Sequence, residues 1–285
     1  MKILVTGASG QLGQCLQVMA KNYPQFTFTF KNSKELNIAS AEAIETIFSQ
    51  NTFDYCINAA AYTNVEQAES DSENAFLINA EAVKYLAEAC KEYETKLIHI
   101  STDYVFDGEK ESPYTEEDQV NPINVYGASK LKGEQYLQQI LKEHYILRTS
   151  WLYSSLGHNF LKTILKKAAE GASLQITTQQ QGNPTNANDL ATAILHIINK
   201  DKDAYGVYHF SNQGKATWYD FAKAIIDLQP YKEVSLTASN AYKTKAKRPN
   251  NSCLNKEKIM STFNFSILDW EESLGKLYQE NFLSK

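Results

Sequence analysis

A short apolar run, Ile3 to Thr6, passes directly into Gly7-Ala-Ser-Gly10-Gln-Leu-Gly13, and helical periodicity starts at Gln11. Three glycines at this spacing, between a strand and a helix, restrict the possible folds more than any other feature of the chain. One permits a tight turn, a second lets the backbone approach a bound group, and a third lets the helix pack hard on the strand. The start of such a helix offers unpaired N–H groups and the positive end of its dipole, which suits a phosphate. The pattern reads as a dinucleotide loop. Glycines serving only a turn are the alternative, and the flanking strand and helix weigh against it.

The first half continues as an alternation of short apolar runs and helical patterns, the mark of a parallel sheet wrapped by helices. Strands are predicted over 3–6, 27–30, 55–59, 96–101 and 145–148, with helices near 11–21, 40–49, 73–93 and 126–142. Leu12, Leu16 and Met19 share one helical face, as do Phe76, Leu77, Ala80, Val83 and Leu86, and such stripes belong to the core. After Trp151 the rhythm changes. Helices are predicted over 159–169 and 189–199 and strands over 174–178 and 206–211, and the chain beyond Thr217 is more polar and richer in loops. The expected fold class is α/β, a doubly wound parallel sheet of Rossmann type with a smaller C-terminal substrate lobe. Residues 1–153 form the dinucleotide-binding domain, with 186–216 returning to it, and 154–185 with 217–285 form the lobe.

A net charge of -5 leaves no basic stripe, so nucleic acid is not an expected partner. Cys15, Cys56, Cys90 and Cys253 lie far apart and form no Cys-x-x-Cys pair, as fits thiols in a reducing compartment. No stretch approaches the ~20 apolar residues of a membrane-spanning helix. A strand candidate from Lys2 and an immediate glycine loop leave no room for a cleavable signal. The expectation is a cytoplasmic protein with no membrane partner.

Tyr126 and Lys130 stand one helical turn apart, and Thr102 ends the fourth apolar run. A cation beside a phenol stabilises the phenolate, so the proton should leave more easily than a reference pKa of ~10 suggests. The Thr102 hydroxyl can hold a carbonyl against that donor. With a dinucleotide loop, this is equipment for carbonyl reduction by hydride transfer. NAD-preferring sites place a carboxylate after the second strand. Here Phe30 is followed by Lys31, Asn32, Ser33 and Lys34, with no acid before Glu35. The expected cofactor is NADPH, with NADH as the alternative; Lys31 and Lys34 as a merely solvated face is the competing reading.

Several blocks carry a resemblance. They are Gly7–Gly13, Asn58–Glu66 with Ala68-Glu69, Ser101-Thr-Asp-Tyr-Val-Phe-Asp-Gly108, and Asn124–Leu131 with Gly133-Glu134. Leu147-Arg-Thr-Ser-Trp-Leu-Tyr153, Gln181–Thr185 and Arg248-Pro-Asn-Asn-Ser-Cys-Leu254 follow. The chain resembles the extended short-chain dehydrogenases/reductases and, within them, the dTDP-4-dehydrorhamnose reductase family. The early blocks support the superfamily; the Ser-Thr-Asp-Tyr-Val-Phe, Arg-Thr-Ser-Trp and late Arg-Pro blocks are more restrictive.

The resemblance implies reduction of dTDP-4-dehydro-beta-L-rhamnose to dTDP-beta-L-rhamnose, with Tyr126 as general acid, Lys130 on the nicotinamide ribose and Thr102 on the reacting oxygen. It implies that Gly10, Gln11 and Leu12 lie under the pyrophosphate, Asn37 and Ile38 beside the adenine, and Ala61, Tyr62 and Thr63 along the cofactor channel. Val65, Glu66, Asp103, Tyr104 and Trp151 would face the sugar nucleotide, with Trp151 as a flat apolar wall. Arg248 would clamp the diphosphate, an interdomain ion pair being its other reading.

Some family members bridge a homodimer through magnesium held by acids, where this chain has Cys15 and Asn188, with Asp189 adjacent. A thiol and an amide are poor magnesium ligands, so no metal is expected there, and a homodimer stays open on other grounds. His99, His144, His158, His196 and His209 show no metal-ligand spacing. The competing functions are a reductase or epimerase for another nucleotide-linked 4-keto sugar, and a non-catalytic dinucleotide-binding regulatory relative.

Overall fold

The apolar runs pair side by side in the computed structural model, which describes residues 1–228, 234–240 and 244–283. Of the lobe expected over 217–285, residues 229–233, 241–243 and 284–285 lie outside the described residues. The strands β1 (Lys2–Thr6), β2 (Thr27–Lys31), β3 (Tyr55–Asn58), β4 (Lys96–Thr102) and β5 (His144–Thr149) form one sheet with Gly206–His209. Its order is β2-β1-β3-β4-β5 followed by Gly206–His209, and every pairing is parallel. Every residue of β3 and β5 is buried, as happens when helices cover both faces.

Alternation along each strand divides the core. Ile3, Val5, Tyr55 and Ile57 face a cluster with Leu12 and Leu16 of α1 (Gln11–Ala20) and Leu190, Ile194 and Ile198 of the Ala187–Lys200 helix. Leu4, Cys56 and Ile146 point the other way, against Ile44 and Phe48 of α2 (Ala41–Gln50), Val83, Leu86 and Leu137. The result is the expected doubly wound sheet. The chain goes to β2 on one side of β1 and returns to β3 on the other, so a crevice opens at their C-terminal ends, the usual ligand position in open parallel sheets.

Helix starts follow local chemistry. Ser40 accepts from Ala43 N, Asn124 from Gly127 N and Asn159 from Lys162 N, and Thr217 and Asp220 cap each other reciprocally. At α1 the N-cap is Gly10, which has no side chain to bond the free N–H groups.

Two elements differ from expectation. The helix predicted over 73–93 is α-helical at Ser72–Phe76 and Ala82–Glu92, with a π turn at Leu77–Glu81 between them. The wider turn buries Asn79, which bonds Tyr62 N, Tyr62 O and Ser129 Oγ at 2.9, 3.0 and 3.0 Å. Its carbonyl would stand 2.1 Å from a Cβ on Gly133, so only glycine lets the two helices meet there. Apolar periodicity survives such an insertion, which therefore leaves no trace in the pattern. The C-terminal region, expected to be loop-rich, contains the helices Trp218–Asp227, Glu257–Phe263 and Trp270–Phe282. Phe221, Ile225, Trp270, Leu274 and Leu277 pack with Tyr153, Leu161 and Ile164 in a third cluster, and Leu236–Ser239 pairs in parallel with Leu174–Thr177.

The Val125–Ile140 helix is tied to β5 by a buried fork, Arg148 Nη2 and Nε lying 2.7 and 3.0 Å from the Glu134 carboxylate. Ser101 Oγ completes the arrangement on Oε1. Glu134→Ala should destabilise the fold by ~3–5 kcal/mol, because it leaves the Arg148 charge buried without its partner. Denaturant unfolding measures this, and a loss below ~1 kcal/mol would show that water reaches the pair.

Candidate active site

A cleft of about 750 Å³ opens where the sheet order reverses. Gly7, at φ +68°, turns the chain so closely that a Cβ there would stand 2.6 Å from Ala60 N. Gly10, Gln11 and Leu12 line the cleft beside it. Gly13 lines nothing and serves packing, since its Cβ would stand 2.3 Å from Gly7 O. Asn37, Ile38, Ala61 and Thr63 also line the cleft. Tyr62 does not: Asn79 clamps its backbone, and its hydroxyl donates to Asp71 at 3.0 Å. Lys31 ends β2 and is not among the lining residues, whereas Ser33 is.

The far end brings together Thr102, Asp103, Tyr104, Tyr126, Lys130, Val65, Trp151 and Arg248. Thr102 comes from the end of β4, and Tyr126 and Lys130 from the first turns of the helix capped by Asn124. Ser129 Oγ donates to Tyr126 O at 2.8 Å and accepts from Asn79, so the π turn braces the helix that carries Tyr126 and Lys130. Tyr104 meets the Tyr126 ring edge-on, with centroids 5.8 Å apart. Glu66 stands behind the lining and holds Arg248 Nη2 at 2.8 Å, so the ion-pair reading of Arg248 holds while the residue still faces the cleft. Glu66 also accepts from Lys245 N at 2.8 Å, fastening the late Arg-Pro block across the cleft.

The proton chemistry differs from expectation. Lys130 was expected to ease proton loss from Tyr126. Burial instead pushes the phenol up to about 12, with the Thr102 hydroxyl pulling it back and Asp103 adding to the rise. Lys130 Nζ donates to Ile100 O at 2.6 Å and lies 3.4 Å from His99 Nε2; burial pushes it down to about 8, against Glu134. Tyr126 therefore keeps its proton throughout the neutral range. Thr102 Oγ1 donates to Asp103 Oδ1 at 3.0 Å. Burial pushes Asp103 up to about 7, with the Thr102 hydroxyl holding it back. Asp103 Oδ2 itself makes no hydrogen bond, the Ser252 hydroxyl being turned to Gln181 O at 3.4 Å.

Sequence reasoning missed Trp218, which lies flat on Trp151 with centroids 3.7 Å apart at 9°. Both rings line the cleft. Trp151 has φ +44°, a costly backbone for a bulky residue. Its ring sits so low over Gly182 that a Cβ there would stand 2.5 Å from Trp151 Cε2, and Gln180 holds Trp218 Nε1 at 3.0 Å. Asn159 was missed too. Its Nδ2 donates to Gln11 Oε1 at 2.6 Å and joins the start of the Phe160–Ala169 helix to the glycine loop, and Gly157, His158 and Ser150 line the cleft nearby. The capping box at Thr217 was the one available sign, and it marks a helix start, not a partner for Trp151.

Cys15 is buried, and burial pushes its thiol up to about 11 against a bond from Ser154. Asp189 accepts from Asn212 Nδ2 and Ser273 Oγ, both at 2.6 Å. Among the described residues no group of three or more His, Cys, Asp or Glu is placed to hold a metal ion, and no helix is long and apolar enough to cross a membrane.

Sheet, glycine loop and the Thr102–Tyr126–Lys130 set together define the class: an extended short-chain dehydrogenase/reductase. Residues 1–282 match the family model described as the RmlD substrate binding domain. The dTDP-4-dehydrorhamnose reductase of Aggregatibacter actinomycetemcomitans is 38% identical, over 97% of this chain and 98% of that protein. The Escherichia coli K12 enzyme of the same name is 38% identical over 99% and 98%. The crystal structure of the Bacillus anthracis dTDP-4-dehydrorhamnose reductase in complex with NADP superposes with a TM-score of 0.94 at 34% identity, covering 98% of this chain and 99% of that one. The chain belongs to the dTDP-4-dehydrorhamnose reductase family.

Gly182→Ala should lift Trp151 off its seat and break the indole stack while the fold survives. Near-UV circular dichroism should lose the coupled indole signal with the far-UV spectrum unchanged, and an unaltered near-UV spectrum would contradict this account of the stack.

Proposed function

We propose that the chain reduces dTDP-4-dehydro-beta-L-rhamnose to dTDP-beta-L-rhamnose with NADPH, the final step of dTDP-L-rhamnose biosynthesis. The observation that carries the reading is the convergence of Thr102, Tyr126 and Lys130, in one cleft, with a glycine loop whose helix has no side-chain cap. That uncapped start, reached past Gly7 and Gly10, fits a pyrophosphate. Gln11 and Leu12 would hold it there, with Asn37 and Ile38 at the adenine and Ala61 and Thr63 along the nicotinamide arm.

When bound, NADPH supplies the hydride that arrives at C4. The Thr102 hydroxyl turns from Asp103 Oδ1 to donate to the carbonyl oxygen, and Tyr126 gives its phenolic proton to that oxygen as negative charge develops, so C=O becomes CH–OH. The phenolate left behind regains a proton from solvent. A phenol that stays protonated at neutral pH suits this direction, since the acid is loaded before each turnover. Lys130 offsets charge at the phenolate and bonds the ribose. Val65, Tyr104, Trp151 and Arg248 enclose the sugar nucleotide, with Glu66 and Trp218 holding Arg248 and Trp151 in place. The regions after Tyr153 form the substrate lobe in this reading, with Ala187–Lys200 and Gly206–His209 returning to the main sheet. Four unpaired, buried cysteines support placing the reaction in the cytoplasm. A homodimer would rest on packing and hydrogen bonds, with no magnesium bridge at Cys15 and Asn188. The regulatory alternative has no observation in its favour, since the proton donor, its cation and the hydroxyl are all in place.

Tyr126→Phe should bind NADPH as tightly as the parent and turn over ~100- to 10,000-fold more slowly. Fluorescence titration and NADPH consumption with the keto sugar measure the two, and near-parental turnover would remove Tyr126 from the mechanism.

NADPH should give the higher kcat/KM over NADH. Because Ser33 lines the cleft and Lys31 does not, Ser33→Asp should move preference toward NADH more than Lys31→Asp. NADH preference in the parent protein would contradict the reading of the segment after β2.

A further inference from the structure

A buried file of polar side chains runs from the glycine loop to Lys130, and the reduction scheme does not use it. Thr6 and Asn58 end β1 and β3 and His99 stands in the middle of β4, each opposite the next in strand register. All three are buried.

The sense of the file follows from one group that can only donate. Ala60 N–H donates to Asn58 Oδ1 at 3.2 Å, and the Thr6 hydroxyl donates to the same oxygen at 2.7 Å. The other end of that amide, Nδ2, therefore faces His99 Nδ1, 3.1 Å away. An amide nitrogen only donates, so His99 Nδ1 accepts and carries no proton. Burial, then the charge of Lys130 and of His144, hold His99 well below its ordinary pKa, so the ring is neutral. A neutral imidazole with a bare Nδ1 carries its proton on Nε2. That N–H is aimed at Lys130 Nζ, 3.4 Å away, while Nζ donates to Ile100 O. An ammonium there would meet a donor; a free amine would receive it on its lone pair and still serve Ile100.

We propose that His99 is a positioning residue that biases Lys130 toward its free-amine form, with Asn58 and the Ala60 N–H selecting the tautomer that does so. This rests on the reading of Lys130 as part of the reduction site. The other groups facing Lys130 are few. Glu134, one turn along the same helix, favours the ammonium, but its carboxylate is already bonded by Arg148 and Ser101. Tyr126 lies one turn back, Asp103 follows β4, and His144 on β5 acts on His99. The consequence is that Lys130 gives up its proton before Tyr126 as pH rises. Activity that needs the ammonium is whole below the Lys130 pKa and falls as pH passes through it.

The test begins with nitrogen NMR of ring-labelled histidine in the intact protein, the His99 signals being assigned by their loss in His99→Gln. The expected result is a protonated Nε2 and a bare Nδ1 that do not titrate through the neutral range. Protonation at Nδ1 would overturn the proposal without any variant. Asn58→Asp is then compared, with Lys130 titration followed by carbon NMR at its Cε. A carboxylate accepts at Nδ1, so the tautomer should flip, Nε2 should become an acceptor, and the Lys130 midpoint should rise by on the order of one pH unit. A midpoint that rises with the tautomer unchanged would show direct action of the new charge and would remove His99 from the account. Both readouts need no substrate, so a failure of the proposed sugar specificity would be seen separately, as absent turnover with the tautomer intact.

Discussion

The tight approach of backbone to backbone between the first helix and the loop it follows governs the rest. A Cβ on Gly13 would stand 2.3 Å from Gly7 O, and one on Gly7 would stand 2.7 Å from Ala59 O. Those two absences of side chain draw α1 onto β1 and place the loop against the end of β3. The uncapped N–H groups of α1 then face the crevice created by the reversal of strand order between β2 and β3. Every other part of the site is positioned relative to that crevice: Thr102 by β4, Tyr126 and Lys130 by the helix braced through Asn79, and Trp151 just past β5. An added methyl at either glycine has backbone as its neighbour, and backbone cannot turn aside as a flexible side chain can.

Within the crevice, desolvation outweighs charge. Tyr126 and Lys130 stand one turn apart on one helix, and the simple expectation is that the cation loosens the phenolic proton. Burial moves both groups toward their neutral forms instead, the phenol up and the ammonium down. The same burial raises Asp103 and lowers His99. For a reductase this arrangement is serviceable. The acid is held loaded, and charge is called for only when the oxygen of the substrate becomes basic.

What was legible in the sequence was whatever has a local period or a local steric demand. The strand-glycine-helix junction and the alternation of the first half were of this kind. So was the i, i+4 pair Tyr126 and Lys130. What was not legible depends on contacts between distant segments. Trp218 stacks on Trp151, Asn159 bonds Gln11, and Glu66 holds Arg248. No spacing rule joins such pairs. The π turn at Leu77–Glu81 was hidden for a different reason, because one wide turn leaves an apolar stripe intact on either side. The lowered acidity of Tyr126 was also beyond sequence reasoning, since burial of the helix start decides it.

The most direct measurement of the central claim is isotopic. The protein is supplied with NADPH deuterated at the transferring position of the nicotinamide and with dTDP-4-dehydrorhamnose, and the product is examined by NMR and mass spectrometry. The account predicts one deuterium, carried at C4 of a dTDP-rhamnose product, with one NADP formed per sugar reduced. Deuterium at another carbon, or a sugar altered without any transfer from the nicotinamide, would contradict it.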